Sequence, residues 1–538
     1  MENPTAQAAT LPAEPRRPWW RRGLAAPAFL LAKPAGPLTY GTSRWWFLRL
    51  LGACYLVAFI SLWVQVEGLL GARGILPASD YLEFVGKHLG AERYWRVPTF
   101  SWLAPRGGML HVQCAAGAGL AMLLLCNVVP RLAAFGLWAL YLSLSSIGRE
   151  FLGYQWDVLL LETGFAAVFL APGGFLPGGR RRPSAAPIGI LWVLRFLLFK
   201  LMFSSGLVKL LSGDPAWHNL TALNYHYQTQ PLPSWAGWYA HQLPAALGQA
   251  SVVVMFGIEL VFPWLIFAPR RLPIVAAVAF TGLMFIISIT GNYCFFNLLT
   301  VALCLLLVDD DAWRRIGGRP TPEDGAVAPP PAVNRWRWAV HGALAGGLLL
   351  LSGLSMLTRL VPVRALPGPA IKLLEVVAPL RTFNSYGLFA VMTTTRNEIV
   401  VEGSDDGLQW LAYEFKWKPG DLRRVPGFVA PHQPRLDWQM WFAALGRVEE
   451  NPWFQSFLAR LLQGSPPVLD LLARNPFPAG PPRYVRAVFY EYQFTNINQR
   501  RQSGEWWRRE KIGMYCTRLS LRPPTAPPPA GKERNVEI

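Results

Sequence analysis

The sequence predicts a polytopic α-helical membrane protein with about nine transmembrane helices and a β-rich C-terminal domain outside the membrane. Of its 538 residues, 52% are hydrophobic and only 15% are charged. Several apolar runs approach or exceed the roughly 20 residues that cross a bilayer as a helix. Beyond residue 380 these runs give way to alternating apolar and polar residues, a pattern typical of half-buried strands.

Apolar runs define the predicted spans. They lie at about residues 46–70, 109–129, 132–148, 155–172, 188–212, 247–268, 272–290, 294–309 and 337–361. The third and the eighth are the shortest of these runs. No signal peptide is predicted before them, because the first long run starts after Trp45, so the first helix should remain as an anchor.

The placement of cations predicts the orientation. Arginines cluster before the first span, after the fourth, after the sixth and before the ninth, and these positions share one side if there are nine spans. The positive-inside rule makes that side cytoplasmic. The loop at 213–246 has no lysine or arginine and should face outward, together with the chain after residue 361. Basic residues after the first span do not fit this scheme, but their loop is long enough to fold on the membrane surface.

These boundaries divide the chain into predicted segments. They are a cytoplasmic N-terminal tail (1–43), a membrane domain of about eight helices (44–320), a cytoplasmic linker (321–336), the ninth transmembrane helix (337–361), an extracytoplasmic β-rich domain (362–521) and a disordered tail (522–538). In the β-rich domain, turn-forming residues at 404–407 predict a hairpin, and aromatic residues at 484–494 predict another strand. Asn451 and Pro452 open a predicted helix that ends at Gly464. The domain should be an α+β fold or a β-sandwich with a helical insert.

Several function classes find no support in the residue types. Five of the six cysteines lie within apolar runs, so neither a disulfide framework nor zinc-ligand spacing can be drawn. The formal charge of +19 reflects membrane topology, because no concentrated basic patch marks a nucleic-acid surface. The chain has no nucleophile elbow, HExxH, phosphate-binding glycine loop or CxxC motif. We therefore predict no metal, no cofactor and no nucleic-acid partner.

Some ionisable residues lie within the predicted spans, where a charge is expensive unless it is paired. Counted from the span ends, Glu162, Lys200 and Glu259 fall near mid-membrane, whereas Asp157 and Lys209 fall near the outer face. Pairs of Glu162 with Lys200 and of Asp157 with Lys209 would stabilise these charges across helices. Lys209 could instead extend its ammonium group to the lipid headgroups.

Four blocks of sequence carry a resemblance to a known family: YLSLSSIGREFLGYQWDVLLLETGFAAVFLAP (141–172), LMFSSGLVKLLSGDPAWHNLTALNYHYQTQPLP (201–233), GNYCFFNLLTVALCLLL (291–307) and RLDWQMWFAALG (435–446). In their order and their content of Trp, Tyr and Asn, they resemble the lipase maturation factor family over roughly residues 44–521. The resemblance implies a polytopic membrane protein that helps secreted lipases reach an active fold, with animal members in the endoplasmic reticulum. The implied partners are the lipid bilayer and an exported protein client, such as a lipase.

The composition also suggests a source compartment. The chain is rich in Arg, Ala, Pro and Gly, which is typical of a bacterial coding bias. We therefore expect a bacterial cytoplasmic membrane with the N-terminus inside and the C-terminal domain outside. In a eukaryote the corresponding location would be the endoplasmic reticulum membrane.

A shorter block is similar to the membrane domain of vitamin K-dependent γ-carboxylases. Gly206, Lys209, Leu210 and Trp217 correspond, although the gap before the tryptophan is longer here. This resemblance implies that Lys209 could act as a base, which requires burial or a nearby cation to lower its pKa towards neutrality.

Two histidines in the loop at 213–246 would complete such a site. His218 and His226 could shuttle protons, but their spacing fits no standard metal site. The alternative function is therefore an intramembrane enzyme that acts on a lipid or protein substrate with Lys209 as base, assisted by these histidines. A transporter is less favoured, because no pair of broken helices recurs in two halves.

The predicted function is that of a non-catalytic maturation or folding factor. The outward loop at 213–246 and the C-terminal domain would together bind the exposed apolar surface of an exported client through aromatic-rich faces. The candidate client-binding residues are Trp410, Trp417, Trp438 and Trp441. The alternative is that these tryptophans form the core of the domain.

Overall fold

The structure is a computed structural model that describes residues 29–31, 38–104, 108–176, 186–317, 335–521 and 536–537. Most of the predicted N-terminal tail, cytoplasmic linker and C-terminal tail lie outside the described residues.

Helices occupy the positions of all the predicted spans within the described residues. We number them α1 Gly41–Trp63, α2 Met109–Leu125, α3 Pro130–Ile147, α4 Gln155–Leu170, α5 Ile188–Leu211, α6 Ala245–Phe256, α7 Pro273–Thr290, α8 Phe296–Leu305 and α9 Arg335–Leu357.

Length and apolarity separate these helices into two groups. Five helical stretches of the described chain are long and apolar enough to cross a membrane: α1, α5, Ala245–Phe267, α7 and the Ala339–Leu357 part of α9. The helices α2 and α8 are apolar but shorter, and neither α3 nor α4 reaches the same combination of length and apolarity. These five helical stretches indicate that the chain crosses a membrane. The count of nine crossings stays a prediction.

The sixth span is not a regular α-helix throughout. After α6 the chain continues as a π-helical turn, Gly257–Val261, and then as a 3₁₀ segment, Phe262–Phe267. Pro263 explains the change, because it lacks the N–H group that would bond to the carbonyl of Glu259 in an α-helix. Such π-helical turns often occur at functional sites.

The connections contain short helices. Ala78–Leu89 lies between α1 and α2. The loop at 213–246, which joins α5 to α6, contains Pro215–His218, Leu223–Thr229 and Trp235–His241.

The C-terminal region is an α+β domain. Its longer helices are α10 Gly368–Val377, α11 Arg435–Ala443, α12 Pro452–Leu462 and α13 Ile497–Ser503. Its strands are β1 Arg396–Ser404, β2 Leu411–Ala412, β3 Glu414–Phe415, β4 Leu472–Arg474, β5 Tyr484–Phe494, β6 Trp507–Ser520 and β7 Val536–Glu537. One sheet has the order β2-β1-β5-β6-β7, with β7 parallel to β6 and the other pairs antiparallel. A second, two-stranded sheet pairs β3 with β4.

The predicted hairpin forms, but its second strand begins later than expected. Asp406 Oδ1 accepts hydrogen bonds from the backbone N–H groups of Leu408 and Gln409, each at 2.8 Å, and keeps these residues in the turn. Strand β2 is therefore limited to Leu411–Ala412. The alternating residues at 413–417 form only the two-residue strand β3, which leaves the main sheet.

A buried ion pair joins the C-terminal domain to the membrane helices. Arg435, at the start of α11, donates to both carboxylate oxygens of Asp157 in α4, with N–O distances of 2.9 and 3.0 Å. Tyr141 Oη in α3 donates to the same carboxylate at 2.5 Å, and Arg435 also donates to the carbonyl of Phe151. The Arg435 and Asp157 side chains are fully buried. This bidentate contact determines how α11 sits on the helical body.

We predict that Arg435→Ala lowers the free energy of unfolding by about 3–5 kcal/mol, because it leaves a buried carboxylate without its counter-charge. The thermal unfolding of the full chain in detergent measures this effect. Arg447→Ala is the matched control, because Arg447 belongs to the same domain and its ion pair with Glu449 is exposed. Equal unfolding midpoints for the two variants would contradict the prediction.

Candidate functional site

A cavity of about 370 Å³ lies between α5, α6, α7 and α8, near the C-terminal end of α5. Its volume falls in the range of small-molecule sites. Apolar side chains such as Leu201, Met255 and Ile287 form most of its wall. A few polar groups converge on it, which is the usual composition of a ligand pocket.

Lys209 and Glu259 form one polar part of the wall. The Lys209 ammonium donates to both oxygens of Glu259, at 2.6 and 2.9 Å, and both residues are buried. The π-helical turn presents Glu259 to α5. At Gly206 an added Cβ would come within 2.9 Å of the Glu259 side chain, so glycine is needed for this close approach.

His226 forms the second polar part, on the Leu223–Thr229 helix. Its Nε2 lies 3.1 Å from the Tyr293 hydroxyl, and the Phe389 ring packs edge-on against the imidazole. Burial, assisted by the positive charge of Lys209, lowers the pKa of His226 to about 4. The imidazole is therefore neutral at neutral pH.

His218 does not join this site. It is exposed, and its Nε2 lies 3.1 Å from the carbonyl of Leu210 at the end of α5. The structure thus brings Lys209 and His226 to one cavity and leaves His218 outside it. Within the described ranges, no group of three or more His, Cys, Asp or Glu side chains could hold a metal ion.

Glu162 and Lys200 meet in the interior, with 2.6 Å between Lys200 Nζ and Glu162 Oε1. Lys200 also donates to Ser352 of α9 at 2.7 Å. The other oxygen of Glu162 accepts from the Tyr386 hydroxyl at 2.7 Å. Tyr386, in the segment that leads into the C-terminal domain, therefore completes the hydrogen bonding of this ion pair.

The predicted pair of Asp157 with Lys209 is wrong. Lys209 pairs with Glu259, and Asp157 pairs with Arg435. Depth along a span was the only basis for the prediction, and it contains no information on the rotation of each helix about its axis. The π-helical turn further changes the direction in which Glu259 points, and Arg435 lies outside the predicted spans.

The four tryptophans do not form one exposed face. Trp438 and Trp441 are buried, so their assignment to a client-binding surface is corrected. Trp438 packs against Trp156 of α4, with ring centroids 4.6 Å apart, and Trp441 Nε1 donates to the Thr229 carbonyl at 2.7 Å. Trp438 therefore anchors α11 to the helical body, and Trp441 anchors it to the 213–246 loop.

The remaining two tryptophans differ in exposure. Arg486 covers the ring of half-buried Trp410 at 4.0 Å from its centroid. Trp417 is 41% exposed and is the one of the four that remains available on the surface.

A different set of aromatic residues lies together on the surface. Trp235, Tyr239 and Phe428, which we call the aromatic patch, are each 43–48% exposed. Trp235 lies 5.5 Å from Phe428 and 6.2 Å from Tyr239, measured between ring centroids. The uncharged sequence WAGWYAH at 235–241 was a signal for this patch, but the contribution of Phe428 required the tertiary structure.

Asn292 holds the two halves of the aromatic patch together. Its buried amide donates to the carbonyls of Leu232 and Gly427, at 3.0 and 2.9 Å. Its oxygen accepts from the backbone N–H groups of Val429 and Ala430. One side chain in the connection between α7 and α8 thereby fixes the 213–246 loop against the C-terminal domain.

Comparisons with known proteins cover both parts of this architecture. Residues 42–315 match the lipase maturation factor transmembrane domain, and residues 382–517 match the lipase maturation factor C-terminal domain. No solved structure matches the chain.

Full-length relatives match as well. The chain is 38% identical to lipase maturation factor 2 of Homo sapiens over 590 residues, covering 89% of this chain and 83% of the relative. It is 33% identical to lipase maturation factor 1 of Homo sapiens over 533 residues, covering 91% and 90%, and 34% identical to that of Bos taurus over 515 residues, covering 90% of each. The resemblance noted in the sequence is thus confirmed, and the chain is an integral membrane protein that belongs to the lipase maturation factor family.

Proposed function

We propose that this chain is a membrane-bound, non-catalytic maturation factor that assists the folding or assembly of secreted lipases. The observation that carries the proposal is the match of both the membrane domain and the C-terminal domain to one family, whose members are named for lipase maturation. The chain therefore contains both of the domains matched in this family.

The surface that meets the client is proposed to be the aromatic patch. Three adjacent aromatic rings are exposed there, and exposed apolar surface of this kind is typical of protein interaction sites. Of the four tryptophans predicted from the sequence to bind the client, Trp417 could extend this surface, because it is exposed.

The orientation follows from this role. A secreted client would bind on the outer side of the membrane, so the 213–246 loop and the C-terminal domain (362–521) are proposed to face outward. The N-terminal tail and the linker (321–336) are proposed to lie in the cytoplasm. The absence of lysine and arginine from the 213–246 loop supports this topology, and nine crossings are consistent with it. The membrane is proposed to be a bacterial cytoplasmic membrane, or that of the endoplasmic reticulum if the source is eukaryotic.

The geometry at Lys209 does not favour the alternative of base catalysis. A lysine base must be unprotonated, whereas this ammonium donates to both oxygens of a buried carboxylate. The neighbouring Trp217 ring, 5.3 Å from Nζ, also stabilises a cation. Lys209 and Glu259 are therefore proposed to be structural.

We predict that cells lacking this protein secrete lipase with a lower specific activity per unit of lipase antigen, because more of the enzyme is misfolded. Lipase activity and antigen in the exported fraction measure this, and re-expression of the full chain is the control. Unchanged activity per molecule in its absence would exclude a role in lipase maturation.

We predict that Trp235→Ala combined with Phe428→Ala weakens client binding by tenfold or more, because interface aromatic residues often contribute about 2 kcal/mol or more each. The measurement is lipase specific activity together with co-purification of the lipase with the variant. Phe285→Ala is the matched control, since Phe285 is 65% exposed on the apolar helix α7. If the control and the double variant behave alike, the aromatic patch is not the client surface.

We predict that Lys209→Met combined with Glu259→Leu preserves lipase maturation, because a buried ion pair can be replaced by apolar side chains with little loss of stability. Lys209→Met alone should destabilise the protein by about 3–5 kcal/mol, because it leaves Glu259 unpaired. Thermal unfolding and lipase specific activity are measured for both variants. A double variant that folds normally but does not support maturation would restore the catalytic alternative.

A further inference from the structure

The cavity described above opens towards the side of the helical body. Leu247 and Val254 of the sixth span and Ile286 of α7 line the cavity, yet each is more than half exposed. The opening thus lies between two helices that are apolar enough to cross a membrane. A ligand that enters there comes from the hydrocarbon layer and not from water.

The polar groups of the cavity present no net charge to a ligand. The Lys209 ammonium is neutralised by Glu259, with which it forms two hydrogen bonds. His226 is neutral because burial lowers its pKa to about 4. The cavity therefore gives no electrostatic preference to a carboxylate or phosphate headgroup.

The hydrogen bonds around His226 determine which of its nitrogens carries the proton. Gln230 Nε2 donates to the carbonyls of Tyr227 and Thr290, at 3.2 and 2.8 Å, so its Oε1 faces the Tyr293 hydroxyl. Tyr293 donates its only proton to this oxygen at 3.0 Å, and its own oxygen then accepts from His226 Nε2–H. His226 Nδ1 is left as an acceptor, and no hydrogen bond to it occurs in the described part of the chain.

Asn297 supplies a second acceptor on the cavity wall. It is only 6% exposed, and its Nδ2 donates to Ser288 Oγ at 2.9 Å. Its Oδ1 has no hydrogen-bond partner among the described residues. Of the buried, unpaired side-chain atoms in the described part of the chain, it is the one whose residue lines this cavity. A ligand hydroxyl that donates to it would remove the cost of an unpaired buried acceptor.

From the lateral opening, the apolar wall and the two unpaired acceptors, we propose that the cavity binds a neutral lipid with a hydroxyl headgroup, of the monoacylglycerol class. The acyl chain lies along the apolar wall, and hydroxyl groups donate to Asn297 Oδ1 and His226 Nδ1. This inference goes beyond the proposed maturation function and does not depend on it, because it concerns a ligand of the membrane body and not the client.

The test uses the full chain in phosphatidylcholine nanodiscs and a monoacylglycerol that carries a photoreactive group on its acyl chain. Labelling is competed with unlabelled monoacylglycerol, with the methyl ester of the same acyl chain and with the corresponding fatty acid salt. We expect the monoacylglycerol to compete about tenfold better than the methyl ester, which cannot donate a hydrogen bond. Equal competition by the methyl ester, or better competition by the fatty acid salt, would overturn the proposal.

Two tryptophan substitutions on the sixth span separate this cavity from the rest of the lipid-facing surface. Ser251 and Val253 are both exposed, but only Ser251 lines the cavity. Ser251→Trp should reduce specific labelling at least tenfold, and Val253→Trp should leave it within twofold of the unmodified chain. Asn297→Leu should weaken binding about threefold to tenfold, through loss of one hydrogen bond.

Unfolding midpoints establish that each variant is folded. If Asn297→Leu does not fold, the comparison of Ser251→Trp with Val253→Trp still decides the question, because both sites are on the exposed side of the helix. Equal labelling of these two variants would show that the lipid binds elsewhere. Lipase specific activity, measured in parallel, distinguishes failure of this inference from failure of the proposed function.

Discussion

The buried contact of Arg435 with Asp157 is the ion pair that holds helix α11 of the C-terminal domain on the helical body. It places a guanidinium from the C-terminal domain between α3 and α4, where both of its partners are fully buried. A charge at that depth is tolerated only when it is paired and hydrogen-bonded, so the domain cannot slide on the helices without exposing one partner to an apolar environment. The neighbouring bond of Tyr154 to Gln439, at 2.8 Å, fixes the rotation of α11 as well.

Other buried charges tie further segments to the same frame. Glu162 receives hydrogen bonds from Lys200 and Ser352 and from Tyr386, so it joins the helical body to the chain after α9. Arg195 donates to the carbonyl of Leu306 at the end of α8 and lies over the Tyr40 ring. Each intramembrane charge of this group therefore has a structural role. The cavity beside Lys209 differs, because the unpaired acceptor Asn297 Oδ1 belongs to a residue of its wall.

The sequence predicts helices and strands that depend on local residue patterns. It does not predict contacts between residues that are distant in the chain. Apolar runs located the helices, and the aromatic run at 484–494 coincides with β5. The longest strand, β6 Trp507–Ser520, was not predicted, because much of its first half is exposed and charged and lacks the alternation of a half-buried strand. The burial of Trp438 and Trp441 was equally hidden, since it results from packing against α4 and the 213–246 loop.

In the candidate site, too, contacts that follow from local sequence could be predicted and contacts between distant residues could not. That Lys209 and His226 lie near one another could be anticipated, because the chain runs from the end of α5 directly into the loop. The partner of Lys209 could not be predicted, because it depends on the π-helical turn before Pro263 that presents Glu259 and on the close approach that Gly206 permits. Likewise, Asn297 and His226 are far apart in sequence, and only the tertiary structure shows two acceptors on one wall.

The 213–246 loop links the cavity to the aromatic patch, and its attachment limits how strongly the two can influence each other. His226 lies in the cavity wall, and Trp235 belongs to the patch. Between them, buried Arg396 donates to the carbonyls of Gln228 and Pro231, at 2.8 and 2.9 Å, and fastens the loop to the sheet. A ligand in the cavity could move the patch only by breaking these charge-assisted bonds, which are among the stronger hydrogen bonds in proteins. The structure therefore favours two sites that act independently on one rigid support.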